Sequence, residues 1–173
     1  MKAVPTSQQV KFNTPYKFKP YVFPQNFTLI IDTREQKSPL FDKPPKGLVV
    51  MRDCLANGDY SIRGMPLFSV ERKYCGDIFP YVSTEREKTL KKLRRFREMI
   101  DKGGWVGLLI AERESDVFKH QLWTKVSPEA VRQALISFAI RYHITVYFSH
   151  VKENQERFIL DHAIKYYNVM KEA

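Results

Sequence analysis

From residue 27 onward the chain alternates short apolar runs with polar punctuation, and the spacing of those runs predicts its elements. Thr28-Leu29-Ile30-Ile31 is an apolar, β-branched run that gives way to Asp32-Thr33-Arg34-Glu35, which predicts a first strand. A Pro- and Lys-rich loop over 38–47 leads to further strands over 48–51, 59–62 and 67–71, and the Arg63-Gly64 turn predicts a hairpin joining the last two. Leu90, Leu93, Phe96 and Ile100 recur at helical spacing and predict an amphipathic helix over 84–100. Residues 105–111 form a continuous apolar run, the pattern of a buried strand. Ser127 before Pro128 supplies an N-cap with Pro at the first helical position, opening a helix to Tyr142 with Val131, Leu135, Phe138 and Tyr142 inward. A strand over 145–148 and a helix over 153–170 follow. Strands first, then strands alternating with helices, predict an α/β domain with a mixed sheet flanked by helices.

Residues 1–26 break this pattern. Pro5, Pro15, Pro20 and Pro24, set among lysines and aromatic residues, disfavour helix and central strand and predict an extended arm, leaving 27–173 as the domain. Phe12, Tyr16, Phe18, Tyr21 and Phe23 make the arm too aromatic for an ordinary disordered tail, so it is expected to lie along the domain surface or along a partner.

Charge adds a partner to this picture. Lys and Arg outnumber Asp and Glu 29 to 19, a formal net charge of +10, which points to a polyanion, with nucleic acid first because phosphate contacts dominate its affinity. Much of the excess sits on the helix over 84–100, where Lys88, Lys91, Lys92, Arg94 and Arg95 are expected to track a DNA backbone. Cys54 and Cys75 stand outside any CxxC or Cys/His cluster, which excludes a zinc site or disulfide framework and favours a reducing compartment. The four histidines, at 120, 143, 150 and 162, have no ligand spacing and read as structural or surface residues. No signal-like segment or membrane span is legible, and the expected location is the cytoplasm, with no nucleotide cofactor.

The chemistry concentrates in Gly58-Asp59-Tyr60 and Glu71-Arg72-Lys73, followed after three residues by Asp77. Alternate strand residues share a face, so Glu71 and Lys73 point one way and Arg72 the other. Antiparallel pairing across the hairpin brings Asp59 beside Glu71. Two carboxylates at neighbouring strand ends suit Mg²⁺ or Mn²⁺, hard cations that take one or two carboxylates with waters and phosphate oxygens. Lys73 then lies where an ammonium orients a water nucleophile or stabilises charge on the phosphorane. These residues read as a metal-dependent nuclease.

The DxRE run of Asp32 to Glu35, the Gly58-Asp59 pair and the ERKxxxD run of Glu71 to Asp77 together resemble, in order and spacing, the nuclease domain of the XPF family of structure-specific DNA endonucleases. The resemblance covers roughly residues 27–149. It implies a restriction-endonuclease-like core, Asp59 and Glu71 as metal ligands, Asp32 close to the same metal, and Lys73 at the catalytic position. It also implies that Arg34, Glu35 and Arg72 either orient the carboxylates or contact the scissile phosphate, with Asp77 in support. For Arg72 and Asp77 the alternative is an Arg/Asp pair that braces the sheet. Eukaryotic and archaeal members carry a helix-hairpin-helix module, and often a helicase, for which this chain shows no sequence; it resembles a stand-alone nuclease domain of bacterial or phage type.

The expected function is therefore a divalent-metal-dependent endonuclease acting on branched, flapped or junction DNA. Two alternatives stand beside it: a catalytically silent DNA-binding or dimer-partner module of the same fold, and a sequence-specific restriction-type nuclease. A homodimer is expected through the last two helices, because Leu160, Ile164, Tyr167 and Val169 extend the apolar surface of the final helix beyond its Phe158, Ile159, Ala163, Tyr166 and Met170 stripe. The arm folded over the same face is the monomeric alternative.

Overall fold

The computed structural model describes residues 19–37 and 39–172. Most of the expected N-terminal arm, residues 1–18, lies outside them. Six strands form one sheet in the order β2-β1-β3-β4-β5-β6: β1 (Thr28–Asp32), β2 (Val49–Asp53), β3 (Tyr60–Ile62), β4 (Met65–Lys73), β5 (Trp105–Ile110) and β6 (Thr145–Phe148). The β1–β3 and β3–β4 pairs are antiparallel, whereas β1–β2, β4–β5 and β5–β6 are parallel, so the sheet is mixed as expected.

Helices cover both faces. On one side α5 (Lys152–Glu172) lays Phe158, Ile159, Leu160, Ala163 and Tyr167 on Leu29, Ile31, Ile62, Phe68 and Val70. On the other, α1 (Cys75–Val82), α2 (Arg86–Asp101) and α4 (Pro128–Tyr142) pack Phe79, Leu93, Phe96, Leu135 and Phe138 against Val106, Leu108 and Ile110. The period of two along β5 sorts these contacts: Val106, Leu108 and Ile110 serve one core, Gly107 and Leu109 the other. Gly107 is small for a reason, since a Cβ there would come within 3.2 Å of the Phe158 ring.

α4 begins as its sequence predicts, with the Ser127 hydroxyl accepting from the Ala130 N–H and Pro128 opening the helix. The inward face of α2 is rotated slightly from expectation: Thr89, Leu93, Phe96 and Met99 are buried, and Leu90 and Ile100 sit at its margin. Two helices have no counterpart in the sequence reading. One is the short α3 (Glu114–Val117), and the other is α1, whose Pro80 argues against a helix and is tolerated in its closing turn.

The expected surplus of apolar surface on α5 is smaller than its sequence suggests. Leu160 and Tyr167 are buried in the core, while Met170, expected to face inward, is exposed with Val169. The described end of the arm packs on this same helix. Tyr21 donates a 2.8 Å hydrogen bond to Asp161, Phe23 stacks between Tyr21 and Phe27, and Phe27 meets Tyr167 edge-on. No helix among the described residues is long and apolar enough to cross a membrane.

Candidate active site

β3 and β4 meet at a two-residue turn, Arg63-Gly64, where Ile62 pairs with Met65. Continued regularly, that ladder would set Asp59 opposite Phe68. The register shifts instead, Tyr60 pairs with Val70, and the Asp59 N–H donates to the Val70 carbonyl at 2.8 Å, so Asp59 stands level with Val70 and Glu71. Gly58 makes the approach possible. Its φ is +70°, and a Cβ there would run into the Ser69 hydroxyl and come within 2.9 Å of the Val70 carbonyl. A second backbone bond, from the Asp32 N–H to the Asp59 carbonyl at 2.8 Å, fixes Asp59 from the β1 side.

Alternation along β4 then divides the Glu71-Arg72-Lys73 triplet between the two helical layers. Glu71 is fully buried, and its Oε1 accepts from Lys73 at 2.5 Å and from Lys92 of α2 at 2.7 Å. Its Oε2 is buried with no hydrogen-bond partner among the described residues. Burial alone would favour the neutral acid; the two ammonium groups outweigh it and hold the Glu71 carboxyl below its ordinary range. Lys73 is likewise held charged, its pKa raised because the Glu71 carboxylate outweighs the cost of burial. Asp59 behaves in the opposite way: burial first, and the neighbouring Glu71 charge second, push its carboxyl up to about 7. One Asp59 oxygen, Oδ2, accepts a 2.7 Å bond from the Arg72 backbone N–H.

Arg72 points to the other face and is 5% exposed. Its guanidinium bonds Glu35 at 2.8 Å and Gln155 of α5 at 3.0 Å, and lies over the Tyr74 ring. Neither a role on the scissile phosphate nor the Arg/Asp brace fits this placement, because the side chain is enclosed and its acidic partner is Glu35. Arg72 ties β4 to α5 and to the segment after β1, and its backbone meets the site, the N–H donating to Asp59 and the carbonyl accepting from Lys73 at 3.4 Å. Asp77 sits on the first turn of α1, where it accepts weakly from the Tyr74 N–H at 3.4 Å and adds to the field that keeps Lys73 charged.

Asp32, expected close to the metal, has both carboxylate oxygens engaged elsewhere. Oδ1 accepts from the Arg34 N–H and Nε, and Oδ2 from Arg34 Nη2 and the Leu55 N–H, at 2.7 to 2.8 Å. These donors hold its carboxyl down at about 2. Arg34 is committed to the same clamp and bonds the Leu55 carbonyl as well, so it orders the β1 end instead of projecting freely toward a ligand. Among the described residues no group of three or more Asp, Glu, His or Cys is arranged to hold a metal ion, which leaves Asp59 and Glu71 as the candidate pair. The unpartnered Glu71 Oε2, beside a second carboxylate whose ionisation it opposes, fits a divalent cation, because bound positive charge supplies the missing partner and relieves the repulsion.

The sequence groups Lys92 with the backbone-tracking lysines, and the structure places it on Glu71 instead. It lies three residues after the buried Thr89 on the face of α2 turned toward the sheet, a placement that the stripe of Leu90, Leu93, Phe96 and Ile100 does not reveal. Lys88, Lys91, Arg94 and Arg95 remain exposed, and a groove of about 580 Å³ lined by Lys88, Lys91, Lys92 and Arg95, together with Thr84, Glu85 and Glu87, opens beside the site. Cys75 has its thiol pushed up by burial and then by Glu112 and Asp116, the opposite of an activated nucleophile. Two histidines hold structural places, His143 closing α4 in the left-handed conformation and His162 stacking on Trp105, and His120 and His150 lie exposed at the surface.

Compared with curated protein sequences, the chain matches none. Compared with protein-family models, it matches the ERCC4 domain over residues 31–161. Among solved structures it is similar to XPF from Aeropyrum pernix, with a TM-score of 0.51 and 19% identity, covering 70% of this chain and 57% of that one. It is also similar to XPF from Aeropyrum pernix in complex with DNA, with a TM-score of 0.57 and 19% identity, covering 79% of this chain and 62% of that one. The chain thus spans about three-fifths of the solved proteins it resembles, and at this identity the likeness concerns the fold. A family match across most of the chain, with the same mixed sheet between helices, makes this protein a member of the ERCC4 domain family, with the restriction-endonuclease-like fold of an XPF-family nuclease domain.

Proposed function

We propose that the chain is a divalent-metal-dependent DNA endonuclease acting on branched, flapped or junction DNA. The observation that carries this reading is the pair of carboxylates at one sheet end, Asp59 and Glu71, with Glu71 Oε2 buried and unpartnered. Asp59 and Glu71 would hold Mg²⁺ or Mn²⁺, which supplies Lewis-acid stabilisation of phosphoryl charge and eases deprotonation of water. Lys73, kept charged by Glu71, would donate to a phosphate oxygen as negative charge builds on it. The Arg72 N–H holds the Asp59 carboxylate in place. The exposed bases of α2 offer a track for the backbone on either side of the cleaved bond. One of the two similar XPF structures is a complex with DNA, and together with the family match it supports DNA as the substrate.

One observation favours the silent-module alternative. Lys73 and Lys92 both neutralise Glu71 from within the chain, an arrangement that competes with a cation. The two readings separate on a panel of flap, fork, four-way junction, plain duplex and single strand incubated with Mg²⁺ or Mn²⁺. The nuclease reading expects cleavage that Asp59→Asn, Glu71→Gln and Lys73→Ala each reduce at least about a hundredfold while circular dichroism stays native. Binding without cleavage in both metals would establish the silent module, and full activity in Asp59→Asn would remove the site.

Self-association through α5 is proposed on narrower ground than its apolar pattern alone suggests, the open patch of Trp105, His162, Tyr166 and Val169. Light scattering expects twice the 20.4 kDa chain mass at micromolar concentration, and a mass of one chain that is unchanged on dilution would reject it.

A further inference from the structure

A second small cavity, of about 70 Å³, lies against the active site, lined by Lys73, Tyr81, Glu85, Lys88, Thr89 and Lys92. It is bounded by the end of β4, by α1 and by α2, and opens to solvent beside the exposed Glu85 and Lys88. Two of its lining residues carry buried hydroxyls without partners. Tyr81 is 4% exposed and Thr89 2% exposed, yet neither the Tyr81 OH nor the Thr89 Oγ1 has a hydrogen-bond partner among the described residues. Leaving a buried hydroxyl unpaired is costly, and native structures avoid it unless a ligand or water completes the bond. Thr89 is the more telling of the two. A helical threonine ordinarily bonds back to a carbonyl of the preceding turn, and here that bond is not made although α2 is regular around it.

The charges around the cavity say what kind of ligand would complete those bonds. Lys73, Lys88 and Lys92 line it with three ammonium groups; Glu85 is the one lining carboxylate and pairs loosely with Lys88 at 3.8 Å, while the buried Glu71 behind the lining accepts from Lys73 and Lys92. A cation is disfavoured there, and an apolar group would strand both hydroxyls. A tetrahedral oxyanion accepts from hydroxyl and ammonium donors together, and the cavity has room for one such group. Lys73 and Lys92 also reach Glu71, so an anion in the cavity would share those two ammonium groups with the carboxylate.

We propose that this cavity is a phosphodiester subsite, in which the Tyr81 and Thr89 hydroxyls donate to a non-bridging oxygen of the nucleic-acid phosphate nearest the Asp59–Glu71 pair. This rests on the nuclease reading for which phosphate arrives, and on the cavity itself for the hydroxyl contacts. Tyr81 and Thr89 are then substrate-binding residues outside the GD and ERKxxxD runs. Both substitutions that remove the hydroxyl are nearly isosteric, so the surrounding packing is preserved.

The test uses the full chain without added metal, which separates it from cleavage. Inorganic phosphate and a thymidine dinucleotide with one internal phosphodiester are titrated in turn, and binding is followed by the NMR shifts of residues 81 to 92. Wild type is expected to bind both, with Tyr81→Phe and Thr89→Val each weakening the dinucleotide about tenfold and Thr89→Ser restoring it. Thermal unfolding of each variant reports on folding. A change in melting temperature with unaltered dinucleotide affinity would mean that the hydroxyls are satisfied by water alone, and would overturn the proposal. Hydroxyl-dependent binding of inorganic phosphate but not of the dinucleotide would overturn it equally, as a site for free phosphate. Hydroxyl-dependent dinucleotide binding in a chain that cleaves no DNA would sustain the subsite and reject the nuclease reading.

Discussion

Asp59 stands level with Glu71 because the β3–β4 ladder changes register between its turn and its open end, and Gly58 is the residue that allows it. The pair is thus placed by backbone geometry, with the side chains of both residues free of helix-capping or turn duties. Its two members are driven apart in acidity: burial and then the Glu71 charge push Asp59 upward, while Lys73 and Lys92 outweigh burial and hold Glu71 downward.

The register shift makes Gly58 a stability determinant as well as a site residue. Gly58→Ala combines a positive φ with a collision against Ser69 and Val70, and is expected to cost at least about 2 kcal/mol. Denaturant unfolding measures it. A cost below about 0.5 kcal/mol would mean that the hairpin reaches its register without glycine.

Arg72 is expected to matter for folding and not for chemistry. Arg72→Met leaves Glu35 without its 2.8 Å partner and Gln155 without its donor, and breaking an enclosed ion pair from one side costs about 3 kcal/mol. At a temperature where the variant is folded, its rate of cleavage per folded molecule is expected within about threefold of wild type. A fully stable but inactive Arg72→Met protein would return Arg72 to the catalytic machinery.

Asp32 sets an acid limb in the stability of the fold. Its carboxyl ionises at about 2 in the folded chain and near 3.8 when free, so the folded state binds the proton less readily than the unfolded one. The stabilisation is present above about pH 4 and is lost as pH falls toward 2. Because Arg34 is largely exposed and screened, its size is about 1 kcal/mol. Equilibrium unfolding between pH 2 and 5 is expected to show this slope in wild type and a shallower one in Asp32→Asn.

The outward face of α2 is expected to contact phosphates through charge alone. Changing Lys88, Lys91, Arg94 and Arg95 together to Gln should flatten the log–log salt dependence of DNA affinity by about 3 to 4, close to one unit per lost phosphate contact. Lys92 is left out because it holds Glu71. An unchanged slope would make that face a solvated surface.

Much of this was legible along the chain. The period of two through Glu71-Arg72-Lys73 determined that Glu71 and Lys73 share a face that Arg72 leaves, and Ser127-Pro128 determined where α4 begins, since both are properties of neighbouring residues. The hairpin too was local, announced by Arg63-Gly64. What the tertiary structure alone decided are the relations between residues far apart in sequence. Asp32 accepts from the distant Leu55 N–H, Lys92 crosses from α2 to Glu71, Arg72 is enclosed by Glu35 and Gln155, and Leu160 and Tyr167 are drawn into the core. Periodicity gives a side chain its face but not its partner. The partner follows from which helix packs over that face and at what height, and here the slip in the β3–β4 register and the seating of α2 set those heights.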